Sequence, residues 1–224
     1  ADPMPESQML AAEKELLGFY ISGHPLTAHE WALKRYSLSD TQALDKVPTG
    51  TLTRIGGLIS QLRKTFAKKS QKPMAFFRLD HLDGSLEVVA FPETFENFGV
   101  HLKEEAPIMV CGELVHAEDT KIKAAEIYPL QDIPRLFTKS FNIHIPATRQ
   151  DDATLNAIKE TLLRHRGDIQ VMLCLQFPNG EKVFLDTDRS FKVLPCEKLL
   201  HEIEHLLGEG SVYLDINKSP CRRS

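Results

Sequence analysis

Apolar positions change their spacing along the chain, and each change marks a different kind of element. Over residues 6–36 the spacing is helical. Met9, Leu10, Leu16, Leu17 and Tyr20 approximate one side of a first helix, which Gly23 and Pro25 stop. Thr27 followed three residues later by Glu30 predicts a capping box opening a second helix, "AHEWALKRY". "DKVPTG" then marks a boundary. From Thr51 the period is two. "TLTRIGGLISQLR" predicts a long strand bent at its glycine pair, and "MAFFRLDHLDGSLEVVAF" predicts two strands around the turn signal Asp83-Gly84. "PETFENFGVHLKE" predicts a short helix opened by Pro92 and anchored by Phe95, Phe98 and Leu102. "APIMVCGELVHAEDTKIKAAEIYPL" predicts two more strands around a turn at Glu118–Thr120.

The order β-β-β-α-β-β is that of a five-stranded OB barrel. Pro134 closes it, and a second pattern follows. "SFNIHIP" predicts a strand, and Asp151 or Asp152 a cap for the helix "ATLNAIKETLLRHR", ending at Gly167. "IQVMLCLQF" and "KVFLDT" flank the turn Pro178-Asn179-Gly180 as a hairpin. "PCEKLLHEIEHLLG" predicts a helix with Pro195 in its first turn, and "VYLDI" a last strand. The expected fold class is α+β multidomain: a helical connector over 1–48, an OB-fold domain over 49–135, a small βαββαβ-like domain over 136–217, and a disordered tail over 218–224.

Charge changes this picture only locally. The 224 residues carry a net charge of −4, so the whole chain is no polybasic binder and any grip on phosphates must be confined to a patch. No run of 18 apolar residues exists, so no membrane partner is expected. "ADPMPESQ" has neither the basic nor the apolar segment of a secretion signal. Cys111, Cys174, Cys196 and Cys221 are scattered without a C-x-x-C pair, which predicts reduced thiols and a cytoplasmic location.

"HEIEHLLG", His201 to Gly208, reads as the H-E-x-x-H of a zinc peptidase. Zinc catalysis requires a third protein ligand and an open fourth position. In the short form of the motif that ligand falls at Ser211, a poor substitute for imidazole, and after Glu209 only Asp215 is acidic. An amphipathic helix explains every letter instead. Leu199, Leu200, Ile203, Leu206 and Leu207 form its buried face, His201, Glu202, Glu204 and His205 its wet one, and Gly208 its cap. No metal, no cofactor and no catalytic residue is expected, since G-x-S-x-G, the P-loop and the dinucleotide loop are all missing from the sequence.

"RKTFAKKSQK" stands apart. Arg63, Lys64, Lys68, Lys69 and Lys72 come without an acid among them, in the connection between the first two strands, where OB barrels grip oligonucleotides. In the next strand Ala75, Phe77 and Leu79 alternate with Phe76 and Arg78. With the first set filling the barrel, Phe76 and Arg78 face out beside the basic loop. A stacking ring next to a guanidinium under cations suits single-strand binding that is salt-sensitive and indifferent to base sequence. The candidate nucleic-acid-binding residues are therefore Arg63, Lys64, Lys68, Lys69, Lys72, Phe76 and Arg78.

At "EKELLGFYISGHPL", then in order "KPMAFFRLDHLDGSLEVVAFPETFENF", "PIMVCGELV" and "VYLDI", the chain resembles the C-terminal region of the bacterial DNA polymerase III alpha subunit family, from Pro5 to Asn217. The resemblance implies a helical connector from the fingers, an OB domain beside single-stranded template DNA, and a terminal domain docking the tau subunit of the clamp loader. It also implies that the intact parent is a DNA-directed DNA polymerase whose metal-binding aspartates lie in a palm domain upstream, leaving this part non-catalytic. The family's sliding-clamp peptide lies upstream as well, and "ESQMLAAE" does not reproduce it. In "SVYLDIN", Ser211 and Ile216 stand where a clamp-like tail would carry glutamine and phenylalanine. Other readings of the same residues are a replisome interaction module without DNA binding and the anticodon-binding OB domain of a tRNA synthetase.

Overall fold

A computed structural model describes residues 25–39, 41–116 and 119–222. The helix predicted from the first apolar cluster lies outside the described residues. Five strands form a closed barrel in the order β1-β2-β3-β5-β4: β1 (Leu52–Phe66), β2 (Pro73–Asp80), β3 (Ser85–Ala90), β4 (Pro107–His116) and β5 (Thr120–Pro129). β3 and β5 run parallel, the other neighbours antiparallel. The expected OB architecture is therefore present. Inward alternation fills the interior: Ile55, Phe77, Leu79, Val88, Val110 and Ile122 all belong to one buried cluster. Burying each such side chain is worth roughly 1.5–3 kcal/mol, which ties the strand pattern to the closed form.

β1 serves two neighbours. It pairs with β4 from Leu52 to Leu58 and with β2 from Leu58 to Phe66. Gly56 and Gly57 lie just before this handover, with the β4 register unbroken through them. The irregularity expected at the glycine pair falls instead between Ser60 and Arg63, where Gln61 has φ 51°. The glycines serve close packing: a Cβ on Gly56 would lie 2.4 Å from Leu33 Cδ2. Leu33 belongs to α1 (Glu30–Tyr36). The capping box expected at Thr27 is absent, because Thr27–His29 forms a 3-10 turn and places His29, without a side-chain cap, at the helix start. α2 (Pro92–Phe98) follows β3 with Pro92 in its first turn, as expected.

α3 (Ile133–Phe137) opens the second unit. There β6 (Thr138–Ile145), α4 (Asp152–Arg164), β7 (Arg166–Gln176), β8 (Lys182–Asp186), α5 (Glu197–Leu207) and β9 (Val212–Ile216) follow in the predicted β-α-β-β-α-β order. The sheet order is β8-β7-β6-β9, with β6 and β7 parallel. Asp151 is the cap of α4, accepting from the Thr154 N–H at 2.9 Å. Two expectations are corrected here. Gly167 does not end α4 but lies in β7, where a Cβ would meet Leu194 N at 2.4 Å. Pro195 precedes α5, whose cap position is Cys196.

The chain divides into two compact units, one of residues up to Gln131 together with Ser219–Ser224, the other Asp132–Lys218. Residues 219–222, expected as part of a disordered tail, instead join the barrel unit. Arg54 on β1, Cys111 on β4 and Glu126 on β5 are register partners on the outer side of the barrel. The tail covers this row: Arg54 Nη1 donates to Ser219 O at 3.0 Å, the Arg222 N–H donates to Glu126 Oε2 at 2.7 Å, and Cys221 is buried. Arg54 Nε donates to Tyr36 O at 2.7 Å, and its side chain is wholly buried. Buried guanidinium donors that find carbonyls explain why this end holds down rather than frays. Among the described residues no helix is long and apolar enough to cross a membrane.

Candidate nucleic-acid interface

The basic segment is more ordered than a free loop. β1–β2 pairing continues to Phe66 opposite Pro73, so Arg63 and Lys64 belong to the strand itself, and Ala67–Lys72 alone make the turn. The turn closes on its own bonds, Ala67 N–H to Lys72 O at 2.9 Å and Gln71 N–H to Ala67 O at 2.8 Å. Lys68, Lys69 and Lys72 are exposed on it. Among the described residues no carboxylate lies within ion-pair distance of Arg63, Lys64, Lys68, Lys69 or Lys72.

Register decides which of these side chains meet. Cross-strand partners share a face, and Arg63 is opposite Phe76, Phe76 opposite Val89, and Val89 opposite Lys123. One outward row therefore runs Arg63–Phe76–Val89–Lys123 across four strands. Phe76 is half-buried, whereas Ala75, Phe77 and Leu79 are buried in the barrel. The next row runs Ser60–Arg78–Glu87–Lys121. Lys64, by contrast, pairs with inward-facing Ala75 and so points to the other side of the ribbon, along with Phe66. The structure brings Arg63, Phe76 and Arg78 together and separates Lys64 from them.

Several residues of this face were not singled out from sequence. Lys121 and Lys123 extend the rows onto β5, and Phe91, 42% exposed, lies with its ring centroid 5.8 Å from Lys123 Nζ. Phe66 is 64% exposed at the end of β1. A usable signal existed for the lysines: in "TKIKA" they alternate with Ile122 and Ala124, which are buried.

Part of the cationic charge is already engaged. Arg78 Nε donates to Ser85 Oγ at 2.7 Å and lies 3.9 Å from Asp80 Oδ1, and Lys121 Nζ lies 3.0 Å from Glu87 Oε2. Exposed pairs of this kind contribute roughly 0–1 kcal/mol. They compete weakly with a phosphate and do not close the face.

The H-E-x-x-H segment lies on α5. Leu199, Leu200, Ile203 and Leu207 are buried, Leu206 is half-buried, and His201 and His205 are exposed. Glu202 accepts from Arg164 at 2.9 Å and lies 3.4 Å from His165 Nε2. The hydrogen bond from Arg164, with His165 second, holds its carboxyl below the ordinary glutamate range. The residue that a peptidase would use as general base is thus the hub of a surface ion-pair cluster. Among the described residues no group of three His, Cys, Asp or Glu is placed to hold a metal.

Residues 53–130 match the OB-fold nucleic acid binding domain model. The chain is 33% identical over 219 residues to the DNA polymerase III subunit alpha of Saccharopolyspora erythraea, a match spanning 93% of this chain and 18% of that protein. It is 28% identical over 213 residues to the Mycobacterium tuberculosis DNA polymerase III subunit alpha, with coverages of 93% and 18%. A small single-stranded DNA-binding protein from Streptomyces coelicolor matches 37% of the chain and 95% of its own, at 19% identity and TM-score 0.31, a likeness too slight to bear on function. The chain spans under a fifth of the length of the curated relatives it matches. Over nearly its whole length, then, it is related to a segment of the DNA polymerase III alpha subunit, with the OB-fold domain at residues 53–130.

Proposed function

We propose that this chain is a non-catalytic C-terminal part of a bacterial replicative DNA polymerase and that its barrel holds single-stranded template DNA. The observation that carries this reading is the outward row Arg63–Phe76–Val89–Lys123 beside the cationic turn. Lys68, Lys69 and Lys72 neutralise phosphates, Phe76 stacks a base, and Arg63, Arg78, Lys121 and Lys123 guide the backbone over the barrel. Lys64 contributes from the other side of the ribbon. Polymerisation belongs to the intact parent, which works in the cytoplasm. Docking of the clamp-loader tau subunit falls to the second unit, and contact with the sliding clamp to a peptide upstream. Kinship along the whole chain favours this reading over a synthetase anticodon domain, since it takes in the second unit as well.

Fluorescence anisotropy with a labelled oligothymidylate tests the DNA contact. Binding is expected to weaken with salt, and Lys68→Ala with Lys69→Ala to lower both affinity and salt slope, the slope by about two. Unchanged affinity in that double variant removes the turn from the interface. Pull-down of tau by the chain, retained when oligonucleotide binding is absent, would make it an interaction module only.

A further inference from the structure

β8 is an edge of the second sheet, paired with β7 on one side and with no strand on the other among the described residues. All of Lys182–Asp186 is exposed, and Phe184 is 67% exposed. Edge strands are commonly blunted by a central charge, a proline, a bulge or a cover. β8 has charges only at its two ends, Lys182 and Asp186, with Val183, Phe184 and Leu185 between them.

The ladder fixes which backbone groups face outward. Glu181 O accepts from the Phe177 N–H, and the Thr187 N–H donates to Val171 O. Alternation between these points turns Val183 and Leu185 toward β7 and the N–H and C=O groups of Lys182, Phe184 and Asp186 away from it. The sequence across this edge is complementary to itself when reversed.

We infer that β8 pairs antiparallel with β8 of a second copy of this chain about a two-fold axis at Phe184. In that register Lys182 faces the partner's Asp186, Asp186 faces the partner's Lys182, and the two Phe184 rings meet at the axis. Val183 faces the partner's Leu185. The three outward-facing residues of each strand then exchange on the order of six main-chain hydrogen bonds. A slip centred on Val183 or Leu185 sets a charge opposite Phe184 and loses both opposite-charge pairs, so the side chains select a single alignment. The interface is isologous and closes at two copies. With five residues a side it is smaller than a standard protein–protein interface, which makes the dimer weak and concentration-dependent.

Sedimentation velocity from roughly 10 µM to about 1 mM reads the association over the range a small interface requires. The unaltered chain is expected to shift from monomer toward dimer. Lys182→Asp alone and Asp186→Lys alone each set like charges opposite one another twice and should weaken association about tenfold. The double variant K182D/D186K exchanges the partners and should restore it. Circular dichroism confirms that the variants fold, and hydrogen exchange gives an independent readout. The Phe184 amide should slow with rising concentration while the Val183 amide, already bonded to β7, does not. A monomer at every concentration leaves the edge to a foreign strand and overturns the two-fold pairing. Association indifferent to the single charge changes, or a double variant that fails to restore it, overturns it equally.

Discussion

Arg54 and Arg63 lie on the same strand, β1, and both point away from the barrel interior, yet one is wholly buried and the other exposed. Arg54 belongs to the stretch paired with β4, under α1 and the returning tail, and spends its donors on the carbonyls of Tyr36 and Ser219. Arg63 belongs to the stretch paired with β2, where nothing described covers the ribbon and a phenyl ring sits opposite. Alternation assigns a side chain to a face. Whether that face is wet depends on segments remote in sequence. The same residue type is structural at one position and available for binding at the other.

The contrast can be broken most forcefully at the buried end. Arg54→Ala strips a donor from two carbonyls and leaves a hole under the tail, and should cost about 3 kcal/mol or more of stability in urea unfolding. Single-strand affinity of the remaining folded protein should hold; a parallel loss would mean that the two faces are not independent. Phe76→Ala should cost about 1–3 kcal/mol of oligonucleotide binding through the lost stack, read by anisotropy. Arg63→Ala should leave stability within about 0.5 kcal/mol and reduce the salt slope of binding by about one. The sealed neighbourhood of Arg54 has a chemical signature as well. Burial, with Cys221 nearby, pushes the Cys111 thiol well above its ordinary range, and burial raises the Cys221 thiol too. Thiolate at mildly alkaline pH is therefore scarce, and alkylation of both should be slow until denaturant opens the tail. Fast labelling of folded protein would contradict that cover.

The barrel was legible because its strands alternate cleanly and its turns are marked, as at Asp83-Gly84. The same alternation, followed into "TKIKA", would have added Lys121 and Lys123 to the candidate face. Parity also shows where sequence reasoning stopped short: the extra residue at Gln61 resets the alternation in β1, so that Arg63, and not Lys64, shares the outward face with Phe76. Local signals failed at two single positions. Thr27 satisfies the capping pattern, but the chain there tightens into a 3-10 turn, and Gly167 looks like a helix stop but is small because Leu194 passes over it. Arg54 had no local signal at all, since one of its acceptors lies 165 residues further along.

That long return has a practical side for anyone dissecting the molecule. The barrel unit is discontinuous in sequence, with Asp132–Lys218 threaded between its two parts, so cutting the chain after Gln131 does not liberate an intact OB module. It uncovers a guanidinium, a carboxylate and a thiol together. A shortened version that precipitates or binds oligonucleotide indiscriminately would be reporting on that wound, and a faithful minimal barrel needs residues 219–222 spliced back by a short linker.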